Sequence, residues 1–135
     1  MDRAYWLAFV AYLIPTFPLG YIWHLVALKD RYDRLGIYRD DVIIPLGLTS
    51  MLVQAALFAW LYPRIFDTSP DAWLGSAAKF GATFGLLAWS FAVLPVAAKY
   101  RMASVREFLR LETAFTAVQF AVVAPLIALA WRGRA

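Results

Sequence analysis

The sequence has no cysteine, one histidine and little charge, with Asp, Glu, Lys and Arg together making up 16% of its 135 residues. Without cysteine there is no disulfide framework, no thiolate nucleophile and no Cys-based metal site, and the redox compartment leaves no trace. Soluble domains carry about 25% charged and about 45–50% apolar residues, so the shortage of charge excludes an ordinary soluble fold. Disorder is excluded from the other side, because disordered chains are poor in aromatics and here they make up 17%. What is present is apolar: 63% of residues are hydrophobic and the mean hydropathy is +0.63, the composition of a chain whose solvent is a bilayer. The net charge of +4 does not indicate nucleic acid, because the basic residues lie beside apolar runs, where membrane topology accounts for them.

A membrane-spanning helix needs about 20 mostly apolar residues, and four runs of that length fit in 135 residues with short connections and no room for an extramembrane domain. They are expected at about 5–28, 42–62, 73–98 and 108–131, an all-α fold of two helical hairpins in one domain. The first run starts with only Asp2 and Arg3 and is too long for a signal peptide, so it reads as a retained helix, bent at Pro15 and Pro18 where backbone donors are missing. Asp40 and Asp41 favour the positive end of the second helix, and Pro63 with Asp67-Thr68-Ser69-Pro70-Asp71 ends it. Ser104-Val105-Arg106-Glu107 has the spacing of a capping box before the fourth run. Between the first two runs, Lys29–Asp41 alternates charge around Tyr32, Leu35, Ile37 and Tyr38. It reads as a short interfacial helix broken at Gly36, with its apolar residues against lipid, or as a docking surface.

Orientation follows from Lys and Arg beside the runs. The first and third connections hold Lys29, Arg31, Arg34, Arg39, Lys99, Arg101, Arg106 and Arg110; the opposite side holds Arg3, Arg64, Lys79, Arg132 and Arg134, an eight-to-five split. Both connections are therefore expected in the cytoplasm and both termini outside. A parallel internal repeat also fits: V-A-x-K-x-R closes the first helix at Val26–Arg31 and the third at Val96–Arg101, and Val53-Gln54 matches Val118-Gln119. Two hairpins in the same orientation would be related by an axis along the membrane normal; chance matches between common residues are the other reading.

Gln54 and Gln119 fall near the middle of their helices, where an amide has no water to bond. They read as an interhelical polar link joined by Thr49, Ser50, Thr113 and Thr116, or, with the deep Trp89, as groups that line a pathway or grip a ligand's polar head. The central portions of all four runs lack Asp, Glu, Lys and Arg, which weakens proton-coupled transport. Lys79 is expected to snorkel to headgroups, and Glu112 to rest against Arg110 or the helix amino end. His24 lacks the neighbouring ligands of a metal site; axial ligation of a haem or chlorin is its sharper reading, an interfacial imidazole bonded to backbone or lipid its plainer one. Ala77, Gly81 and Gly85 recur every four residues, a small-xxx-small stripe that admits a neighbouring backbone within the chain or across an oligomer seam. Trp6, Trp60, Trp73 and Trp131 form an aromatic belt at the outer ends, with Trp23 nearer the inner interface.

The stretch Trp23-His24, Lys29-Asp30, Tyr32-Asp33, Leu35-Gly36-Ile37, followed by Ala97-Ala98-Lys99, Arg101 and Ser104-Val105, resembles a group of small uncharacterised bacterial four-helix inner-membrane proteins. The resemblance covers most of the chain and implies an inner-membrane setting with no activity attached, so it carries over no functional residue. The shortage of nucleophiles and bases argues against an enzyme. Two functions are expected: a non-catalytic accessory or assembly subunit that packs against other membrane proteins, or a small oligomeric transporter or carrier of a lipid-like or hydrophobic ligand.

Overall fold

The computed structural model describes residues 1–134. Among them the regular structure is entirely helical. Helix α1 spans Arg3–Ile22 and runs on as a π-helical segment, Trp23–Ala27; α2 spans Lys29–Leu35, α3 Ile44–Ile65, α4 Trp73–Ala92, α5 Leu94–Lys99 and α6 Val105–Trp131. Four segments, Arg3–Ala27, Ile44–Ile65, Trp73–Lys99 and Val105–Trp131, are long and apolar enough to cross a membrane, an arrangement compatible with a multi-pass integral membrane protein.

Local chemistry sets the helix ends. Asp2 caps α1 by accepting from the Tyr5 amide at 3.0 Å, and Ser104 caps α6 by accepting from the Glu107 amide at 3.2 Å, each meeting a donor the first turn leaves unpaired. Gly36 ends α2 in the left-handed conformation, φ +74°, which a residue with a Cβ adopts at a cost. The prolines do not break the helices that hold them. The chain stays helical through Pro15 and Pro18, and Pro63 lies inside α3 rather than ending it. The third span is interrupted instead: α4 stops at Ala92 and α5 restarts with Pro95 in its first turn, where a missing backbone donor costs nothing.

Helix α6 is the axis of the bundle, packing against α4 on one side and α1 on the other, while α1 also packs against α3. The main core lies between them: Tyr12 of α1, Tyr62 of α3, Phe80 of α4, and Val123 and Ile127 of α6 are almost fully buried. Rings of Phe58, Phe80, Phe84 and Phe120 meet edge-on or tilted at 5.0–6.4 Å, the geometry aromatic quadrupoles favour. A second, smaller core closes the end that carries α2 and α5, with Tyr32, Leu35, Val93, Phe108 and Leu111 buried together. The interfacial helix expected after Lys29 is α2, but its apolar side faces this core and not lipid. Tyr32 and Leu35 are buried, their charged neighbours stay exposed, and the Leu35 carbonyl accepts from the Ala103 amide at 3.0 Å.

The small-residue stripe of α4 is where α6 comes close. A Cβ on Gly81 would stand 3.2 Å from the Ala124 Cβ, and one on Gly85 3.3 Å from the Phe120 ring. Gly85→Val should therefore destabilise the fold by about 1–3 kcal/mol through overpacking. Gly75→Ala, where an added Cβ meets nothing within 4 Å, should not; unfolding in mixed detergent micelles measures both.

Candidate functional site

The site is built where α1 loses its α-helical register. Across Trp23–Ala27 the Leu28 amide reaches back five residues to the Trp23 carbonyl at 3.2 Å. Such π-turns are often found at functional positions. This one carries the only histidine, and the His24 Nδ1 lies 2.9 Å from the Gly20 carbonyl of the preceding turn. A carbonyl only accepts, so Nδ1 holds a proton and donates it.

The other ring nitrogen, Nε2, lies 2.9 Å from Oε1 of Glu112, in the third turn of α6. The same oxygen accepts from the Tyr32 hydroxyl at 2.5 Å, and the Tyr32 oxygen in turn accepts from the Trp23 indole at 3.1 Å. With Nδ1 already a donor, the His24–Glu112 bond requires one further proton, carried by the imidazole or by the carboxyl. Three elements thus converge on one carboxyl oxygen. The two side chains are only 18% and 16% exposed, a setting in which a carboxyl group needs such partners.

Aromatic rings enclose the pair. Tyr38 stacks on Tyr32 with centroids 5.2 Å apart and planes 8° from parallel, and Phe115 presents its edge to His24 at 4.5 Å. Burial, then hydrogen bonding to Glu112 and its charge, push the Tyr32 hydroxyl well above the ordinary tyrosine range. Burial and the same charge do so for Tyr38. Both tyrosines therefore remain protonated donors. Outside the enclosure Arg31 pairs with Glu107 and Lys29 with Asp33, tying α2 to the start of α6 and to itself.

Beside His24 opens a cleft of about 680 Å³ between α1, α3 and the segment 37–44. Its walls are mostly apolar, among them Phe17, Leu25, Ile43, Met51 and Phe115, with His24, Tyr38, Arg39 and Ser50 as polar points. A smaller recess of about 440 Å³ continues it outward past Leu25, Tyr38, Arg39 and Val42, lined by Lys29, Asp33 and Asp40. An open apolar cleft beside a charged recess results. Arg39 donates to Asp41 at 3.0–3.1 Å, holding that carboxyl below its usual range.

The residues expected to act together are separated. Gln119 donates to the Tyr12 hydroxyl at 3.0 Å and Tyr12 donates to Gln54 Oε1 at 2.5 Å, so the link between α3 and α6 passes through α1. Neither glutamine lines the cleft beside His24 or its recess. Thr49, Ser50 and Thr116 donate to carbonyls of their own helices. Trp89 stands apart and donates to Thr113 at 2.9 Å, on a groove of about 650 Å³ between α4 and α6 that Ala77, Gly81 and Gly85 also line. Glu112 rests on Tyr32 and His24, not on Arg110 or the helix end. Axial haem or chlorin ligation does not fit His24, because both ring nitrogens are engaged and no lone pair is directed outward. Nor does a metal centre fit: among the described residues no group of three or more His, Asp or Glu comes together.

Tyr12 was not indicated by the sequence, and Trp23, Tyr32 and Tyr38 stood out only as interfacial residues. The one available signal was Glu112 itself, an acid placed past the cap of an apolar helix, which must find partners. No family model, curated protein or solved structure matches the chain.

Two substitutions test the two polar clusters. Glu112→Leu should cost about 2–3 kcal/mol, since it strands the Tyr32 hydroxyl and a His24 nitrogen. Tyr12→Phe should cost about 1–3 kcal/mol, two interhelical membrane hydrogen bonds. Thermal or detergent-induced unfolding measures each.

Proposed function

We propose that this is a non-catalytic integral membrane protein that binds a lipid-like amphipath in the cleft beside His24, the binding step of a small carrier. The observation that carries the reading is the cleft: about 680 Å³ with apolar walls, within the range of about 300–1,000 Å³ that small-ligand sites occupy, opening onto a charged recess. An alkyl or isoprenoid portion matches the walls between α1 and α3. A polar head matches the mouth, where the Tyr38 hydroxyl and the Arg39 guanidinium are donors. The Trp23–Tyr32–Glu112–His24 network fixes the floor and lets Tyr38 stack in place, supplying the preorganisation that reduces the cost of binding.

The rival role as an accessory or assembly subunit has less support, because the stripe that would meet a partner is where α6 packs. Two helix pairs, α1 with α3 and α4 with α6, agree with a two-hairpin design. An internal duplication gains little, since Gln54 is exposed and its counterpart Gln119 buried. The eight-to-five charge split supports a cytoplasmic α2 end with both termini outside, and the family resemblance supports a bacterial inner membrane. A catalytic role finds no support in a chain without cysteine whose sole histidine has both nitrogens committed.

Gly47 lines the cleft, and a Cβ there meets nothing within 4 Å, so Gly47→Trp fills the space without disturbing the core. Native mass spectrometry after detergent exchange should find one amphipath retained per wild-type chain and little on the variant, with unfolding midpoints unchanged. Equal retention by both proteins, or none by the wild type, would refute the reading.

A further inference from the structure

Helix α3 lies at the edge of the bundle, with only Ala55, Ala59 and Tyr62 buried. Its outward side is apolar, Val53 being 54% and Leu57 50% exposed, and acyl chains solvate such residues as well as a protein would. Gln54 breaks this pattern. It is the eleventh of 22 residues in α3, at mid-span, and its side chain is on the exposed side. Its Oε1 accepts from Tyr12, while among the described residues no hydrogen-bond partner meets its amide N–H groups. Hydroxyls nearby, those of Thr49 and Ser50, bond back to their own helix; a glutamine amide at this position does not. Accepting from Tyr12, itself an acceptor from Gln119, polarises the amide and strengthens its outward N–H donors. Hydrocarbon offers such donors nothing, and an unmet amide there is costly.

We infer that the outward face of α3 around Gln54 is a homodimer interface, in which the Gln54 amides of two copies bond to each other. Symmetry selects this occupant. Two copies inserted in the same orientation are related by an axis along the membrane normal, and a two-fold contact keeps equivalent residues at the same depth and sets those on the axis opposite their own copies. The amide is self-complementary: each has N–H donors to give and a second lone pair on Oε1 to accept. Acyl chains have no acceptor, and a different protein would need its own acceptor at the same depth. The flanking Val53 and Leu57 complete the contact with apolar surface. This inference is independent of the cleft ligand.

The absence of cysteine makes the test direct. Val53→Cys and Leu57→Cys, each with Gln54 intact, introduce a sole thiol. Oxidation in native membranes should give a covalent dimer of this chain from both and none from Leu86→Cys on the outward side of α4. In lipid vesicles of increasing dilution, Gln54→Leu should weaken the dimer about tenfold, the equivalent of two interhelical amide bonds of ordinary strength. A chain that is monomeric at every dilution would overturn the inference, as would cross-links through Leu86→Cys or to a different protein. So would a dimer of unchanged strength in Gln54→Leu. If that variant does not fold, the cysteine pair decides alone.

Discussion

A carboxyl group placed inside an apolar helix must be surrounded by donors, and Glu112 is where this chain meets that demand. One of its oxygens receives the Tyr32 hydroxyl and faces the His24 imidazole. Tyr32 can be there only because α2 folds back over the bundle, and His24 only because α1 widens into a π-turn. Remove the carboxyl and neither irregularity has a purpose: the second core, the stacked Tyr38 and the floor of the cleft all descend from the same atom. The cost of seating one acid in an apolar setting thus organises a whole end of the molecule.

The middle of the bundle meets the same demand differently. There the polar groups are neutral, and a single phenol serves two amides, one on each side. Bonds of this kind hold the helix order without introducing charge, and they add to the close packing of α4 on α6, where glycines let backbones approach. Packing and neutral hydrogen bonds thus dominate the middle, while ionic chemistry is gathered at the α2 end.

Much of the architecture was legible because hydropathy and span length are local properties. Four apolar runs became four membrane-length helical segments, Ser104 capped the last, and Gly36 stopped the short helix after Lys29. The polar residues Gln54, Gln119 and Glu112 were singled out by depth alone, which is again local. What they touch was not legible. Tyr12 lies 42 residues from Gln54 and Tyr32 80 from Glu112, and no periodicity announces a contact at that distance. Pro63 misled for a related reason: a ring that removes one donor does not say whether the helix ends there or runs on to Ile65. The lipid-facing role expected of Tyr32 and Leu35 failed because a helix with one apolar side reads the same whether that side meets acyl chains or a protein core.

The π-turn at Trp23–Ala27 has a consequence for how this chain tolerates change. One additional residue in a turn rotates everything that follows by about 100°. The turn therefore acts as an angular setting that aims α2, and with it Tyr32, at α6. A substitution within these five residues alters a side chain and leaves the aim intact. A one-residue deletion restores ordinary register and swings the whole downstream segment away, so at this point the length of the chain is under tighter constraint than its composition.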